Sequence, residues 1–181
     1  MLRYFFDTEF IDTPIATYPI SIGIVCEDGR EFYGELNDES IPWFAADQWV
    51  LDNVRPLLLR KHGTVYDSPA SLGVAVKQFV DAGGQTPQFW AYFADWDWVI
   101  MIHLFGTMIN TPAGWPLYAM DLKQWAVMLG NPQMPEQGGA VHNALEDARW
   151  NRKIWDFLAL TAKGTLVPKD YGDPKLAIDN G

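Results

Sequence analysis

At 181 residues, 49% of them hydrophobic, the chain has the size and apolar content of one ordinary domain with a full core. Charged or turn residues interrupt every apolar stretch before eighteen positions, which excludes a membrane span and a signal-peptide pattern, so the chain is expected to be soluble and cytoplasmic. One cysteine, Cys26, excludes an intrachain disulfide, and 13 basic against 23 acidic side chains, a net charge of −10, argue at face value against a polyanionic partner.

The first element is the apolar strand Leu2-Arg3-Tyr4-Phe5-Phe6, which ends in Asp7-Thr8-Glu9-Phe10. Alternate side chains of a strand share a face, so Asp7 and Glu9 point the same way, roughly 7 Å apart. Two carboxylates held so close at the end of a core strand repel each other, and a divalent cation relieves the repulsion. Strands over 17–26 and 30–36 flank Glu27-Asp28-Gly29 and read as a hairpin, so three consecutive strands open the fold. A helical stretch over 45–60 is interrupted by Pro56, and a second over 71–81 starts from Ser68-Pro69.

A buried strand over 88–93 then leads into Ala94-Asp95-Trp96-Asp97-Trp98 and a helix over 96–105, with Asp95 read as its N-cap. A short strand near 118–120 and a helix over 122–129 precede the Gly/Pro/Gln-rich loop 130–139. That loop runs into Val141-His142-Asn143-Ala144-Leu145-Glu146-Asp147, where Asn143, with Glu146 three residues on, reads as the N-cap of a helix over 144–160. Residues five apart in one helix lie about 140° apart around its axis. His142, outside the helix, can nevertheless lean over the same point as Asp147 in its first turn. Residues 161–181, with Pro168, Gly172 and Pro174, lack periodicity and read as a C-terminal extension of a domain spanning 1–160. Strands first and then strands alternating with helices indicate an α/β fold with a mixed central sheet flanked by helices.

Asp-Thr-Glu-Phe at 7–10, Asp-Trp-Val at 97–99 and His-Asn-Ala-Leu-x-Asp-Ala-Arg-Trp at 142–150 stand in the order of the three motifs of the DEDDh 3′–5′ exonuclease superfamily. The chain resembles most closely the small phage and bacterial exoribonucleases related to ribonuclease T, over nearly its whole length. The middle acid is Asp95 or Asp97. Asp97 is favoured because it directly precedes Trp98-Val99 and stands ahead of Leu104-Phe105-Gly106, as the family's acid does.

The resemblance implies a ribonuclease H-like fold and hydrolysis of RNA from a free 3′ end to nucleoside 5′-monophosphates. It also implies two Mg²⁺ or Mn²⁺ ions held by Asp7, Glu9, Asp97 and Asp147, with Asp7 bridging, and His142 as general base. Thr8 and Phe10 lie where relatives hold the terminal nucleotide. Hard oxygen donors without a Cys/His cluster agree with Mg²⁺ or Mn²⁺ over zinc. Related small exonucleases often form homodimers in which one subunit's basic surface serves the other's site.

Two alternatives share these residues. A 3′–5′ DNA exonuclease uses the same ligands, because ligands meet phosphate and not sugar. A non-catalytic nucleic-acid-binding module would keep the fold, but then nothing physical would hold four acids together.

Overall fold

The computed structural model describes residues 1–139 and 141–164, so most of the 161–181 extension lies outside the described residues. Its centre is a six-stranded mixed sheet of order β4-β3-β2-β1-β5-β6. β1 (Leu2–Thr13), β2 (Ala16–Cys26) and β3 (Glu31–Leu36) form the antiparallel meander. β4 (Val65–Tyr66), β5 (Pro87–Ala91) and β6 (Met120–Asp121) pair in parallel, β4 with β3, β5 with β1 and β6 with β5. The sheet therefore has β1, the strand carrying Asp7 and Glu9, near its middle.

The alternation of β1 divides its side chains between two cores. Tyr4 and Phe6, with Ile22, Ile24 and Phe89, pack under α2 (Pro69–Asp81) and α3 (Ala94–His103). Phe5, with Val25 and Trp90, packs under α4 (Leu122–Met128) and α5 (Ala144–Ala162). Asp7 and Glu9 continue the Phe5 face and so lie beside α5. The register slips between Glu9 and Phe10, opposite Pro19. Proline has no N–H for the ladder, so a bulge falls immediately after the second acid.

The helices over 71–81, 122–129 and 144–160 are found within two residues of their expected bounds, and Ser68 caps α2 through its hydroxyl, with Pro69 at N1. α5 runs to Ala162, two residues past its expected end, and buries Thr161. The stretch 45–60 is not one helix. It splits into α1 (Gln48–Asn53) between 3-10 turns at Trp43–Ala45 and Arg55–Leu57. The Asp47 carboxylate accepts from Val50 N at 2.8 Å and starts α1, and Pro56, lacking an N–H, prevents it from continuing. β4, two residues long, is too short to leave a periodic signal. Among the described residues no helix is long and apolar enough to cross a membrane.

Candidate active site

A cleft of about 210 Å³ opens at the end of the sheet, lined by Asp7, Thr8, Glu9, Phe10, Phe93, Trp96, Asp97, His142 and Asp147. All seven sequence-selected site residues are among these nine. β1 supplies the first four, the start of α3 the next three, and the start of α5 with its preceding turn the last two. Among the described residues, one ligand atom each from Glu9, His142 and Asp147 lie within 4.8 Å of one another.

Each acid is held by something local. Asp97, 6% exposed, sits in the first turn of α3, where the helix dipole favours negative charge. Thr8 donates to its Oδ1 twice, from the backbone N–H at 2.8 Å and from the hydroxyl at 2.6 Å. Thr8 thus turns its donors toward Asp97 in the floor of the cleft. Asp95 is exposed and is not the cap of α3. Phe93 occupies that position in the left-handed conformation (φ +60°), and Ala94 N–H donates instead to Asp121 Oδ2 at 2.6 Å. A carboxylate from β6 supplies what the sequence suggests a neighbour would, and Asp121 also caps α4 by accepting from Gln124 N at 2.6 Å.

At the other wall Asn143 caps α5, accepting from Glu146 N at 3.3 Å, while Glu146 turns outward to Arg149 at 2.5 Å. His142 stands outside the helix at φ +70°, a conformation that non-glycine residues adopt at a cost, and its backbone N–H donates to Asp147 Oδ2 at 3.0 Å. The loop 130–139 is fastened to α5 at three points. Gln137 Nε2 donates to Asp147 Oδ1, Trp150 Nε1 to Pro135 O at 3.1 Å, and Lys153 Nζ to Glu136 O at 3.2 Å. Phe10 stacks on Trp96 at 6.2 Å and 22°, forming an aromatic side of the cleft. Trp98 instead packs inward against Phe6 and Phe89.

Two residues that the motifs do not mark deliver Asp147. Asn151, one turn on and 1% exposed, donates from Nδ2 to Phe6 O at 2.8 Å and ties α5 to β1. Its signal was a polar side chain at core spacing, beside Ile154 and Leu158. Gly23 pairs with Asp7 across the β1–β2 ladder, and a Cβ there would lie 2.2 Å from Ala144 O and 2.4 Å from Leu145 Cα. Only glycine lets the first turn of α5 rest on the sheet beside Asp7. Gly23→Ala must displace helix backbone, so a cost of about 1–3 kcal/mol is expected in urea unfolding. A shift of ~1 Å at Asp147 should also lower kcat by roughly 10²-fold. Wild-type turnover in this variant would show that the close approach does not position the acid.

The electrostatics are those of acids lacking a counter-charge. Burial raises the Asp7 carboxyl well above its ordinary range, and Asp97, Glu9 and Asp147 add repulsion. Burial, then Asp147 and Asp97, push Glu9 up to about 8. Burial lifts Asp97 to about 6 against the two Thr8 hydrogen bonds, and raises Asp147 against the donors Gln137 and His142 N–H. None of the four carboxylates forms an ion pair with Lys or Arg among the described residues. An all-oxygen set of mutually repelling acids fits a hard divalent cation.

A carboxyl raised in the folded state favours folding while protonated, and that advantage is lost as pH rises from the unfolded value toward the folded one. For Glu9 this window runs from 4.5 to about 8. The metal-free protein should lose stability across it. A net change of only ~2 kcal/mol lowers Tm by roughly 4–8 °C in a chain of this size. Saturating Mg²⁺ or Mn²⁺ should flatten the curve. A Tm that rises across this range without metal would contradict the charge assignment.

A mixed sheet with four converging acids and a histidine at its end places the chain in the ribonuclease H-like class of nucleases. The fold matches the structure of S. pombe Pop2p in its Mg²⁺- and Mn²⁺-bound form, with a TM-score of 0.56 over 89% of this chain and 83% of that one, at 14% identity. The chain belongs to the 3′–5′ exoribonuclease Rv2179c-like domain family, whose model matches residues 2–159. It is 35% identical over 149 residues to the 3′–5′ exoribonuclease Rv2179c of Mycobacterium tuberculosis strain H37Rv, covering 82% of this chain and 88% of that protein. The 3′–5′ exoribonuclease MT2234.1 of strain CDC 1551 matches to the same extent.

Proposed function

We propose that the chain removes nucleotides one at a time from the free 3′ end of RNA as nucleoside 5′-monophosphates. The observation that carries this is the convergence of Asp7, Glu9, Asp97 and Asp147, none of them paired with a Lys or Arg among the described residues, beside the His142 ring. Two Mg²⁺ or Mn²⁺ ions held by the four acids would neutralise charge at the scissile phosphate and supply a water acidic enough to attack at neutral pH.

The chain's own groups supply the rest. His142 takes the proton of the attacking water at a ring nitrogen, next to Glu9 and Asp147. The P–O3′ bond then breaks, so that phosphate leaves on the 5′ side of the released nucleotide. Thr8 keeps Asp97 in place, and the Phe10–Trp96 pair offers an apolar wall to the terminal base. A homodimer, with one subunit's basic surface serving the partner's site, and a cytoplasmic location belong to the same reading, as does the division into a domain at 1–160 and an extension.

Digestion of matched 5′-labelled RNA and DNA oligomers with Mg²⁺ or Mn²⁺ is the test. RNA should shorten stepwise and faster than DNA, a 3′-phosphate should block shortening, and excess EDTA should stop it. Full activity after exhaustive chelation, or rapid cutting of circular RNA, would overturn the reading. Faster digestion of the DNA strand would move the chain to the DNA exonuclease alternative.

A further inference from the structure

A chain of net charge −10 that acts on a polyanion must offer cations somewhere along the substrate's path, and its cations are unevenly available. Arg3, Arg30, Lys77, Arg149 and Arg152 are each within 4 Å of a carboxylate. Among the described residues Arg55, Lys61, Lys123, Lys153 and Lys163 are not, and of these Arg55 and Lys61 are exposed and lie together in one stretch beside the cleft. They belong to the stretch 49–61, which carries one acid, Asp52, against three bases.

Three contacts fasten that stretch beside the cleft. The Trp49 ring lies edge to face with His142, centroids 4.7 Å apart at 81°. Leu57 O accepts from Asn143 Nδ2 at 3.1 Å. Glu35, with 0% exposure, accepts from Leu59 N at 2.9 Å, Arg60 N at 2.5 Å and Tyr33 Oη at 2.6 Å. A buried carboxylate that would be costly to leave unpaired fixes the backbone just after Arg55. Trp49 is nonetheless 50% exposed, leaving ring surface open at the rim. On the opposite wall the exposed charge next to Trp96 is Asp95, which repels phosphate.

We propose that the stretch 49–61 is the track for single-stranded RNA upstream of the 3′-terminal nucleotide, with Trp49 stacking on a base and Arg55 and Lys61 meeting backbone phosphates. This rests on the exoribonuclease reading of the cleft. Aromatic stacking plus a few cations is the usual way of holding a single strand without regard to sequence. It would let an acidic protein grip RNA with a local basic rim.

The test compares an RNA octamer with a dinucleotide, whose single phosphodiester is the scissile one and leaves no upstream phosphate to bind. Octamer binding is read by fluorescence anisotropy in a slow-turnover His142→Ala background, where no effect of Trp49 can run through the histidine. R55Q/K61Q should reduce the slope of log affinity against log salt by about 1.4, as two single-strand phosphate contacts require. With His142 intact, the same pair should leave dinucleotide hydrolysis within twofold of wild type. Trp49→Ala should weaken octamer binding roughly 5- to 150-fold, with Trp49→Phe restoring most of it. K77Q/K123Q, which removes the same charge from α2 and α4, should leave the slope nearly unchanged.

An unchanged slope in R55Q/K61Q, or an equal fall in K77Q/K123Q, overturns the track. A wild-type protein that binds the octamer with the expected slopes but hydrolyses neither substrate would sink the exonuclease reading and leave the track standing.

Discussion

Asp7→Asn is expected to abolish turnover, with a loss above ~10³-fold, and to weaken Mg²⁺ or Mn²⁺ binding by an amount calorimetry detects. A single preorganised group acting on transition-state charge is already worth ~10²–10³ in rate, and Asp7 is the acid that all three others repel. The same substitution should raise the Tm of the metal-free protein at pH 8, because it removes one of the charges that burial penalises. Activity should fall while apo stability rises, which misfolding cannot imitate. Asp97→Asn should likewise remove most activity, since its carboxylate lines the cleft and accepts both Thr8 donors. Asp95→Asn, at an exposed position, should cost less than about twofold. An inactive Asp95 variant beside an active Asp97 variant would reverse the assignment of the middle acid.

His142→Ala should lower kcat by roughly 10²–10⁴-fold while metal affinity stays near wild type. The four carboxylates remain, and the Asp147 contact made by His142 is through its backbone N–H, which alanine retains. Metal titration beside single-turnover kinetics separates the two roles. Near wild-type turnover would remove His142 from proton transfer, and loss of metal would make it a ligand.

Much of this arrangement comes from local chemistry. The period-two spacing of Asp7 and Glu9 puts them on one face wherever the strand goes, and Asn143 starts a helix that leaves His142 outside it, because capping and alternation act over a few residues. The expected helices near 71–81, 122–129 and 144–160 rest on similarly local signals, and they are present.

Where the sequence misleads, the partner is distant in the chain. Asp95 has the composition of a cap, but Asp121, twenty-seven residues on from Ala94, accepts from the Ala94 N–H and frees α3 to begin there. The stretch 45–60 is interrupted at Pro56 as expected, but its end is set from afar, by the buried Glu35 carboxylate that holds the backbone at Leu59 and Arg60. Gly23 reads as an unremarkable strand glycine until α5 is seen resting on it.

Residue types and spacing thus determined which side chains are candidates for the chemistry, because short motifs carry that information. Tertiary structure alone decided that Asp97 arrives from one face of the sheet and Asp147 from the other. It also decided that Thr8 and Asn151 pin the two helices to β1 and that the 49–61 rim borders His142. Those relations depend on how strands pair and helices pack across long sequence separations, and no local pattern encodes them.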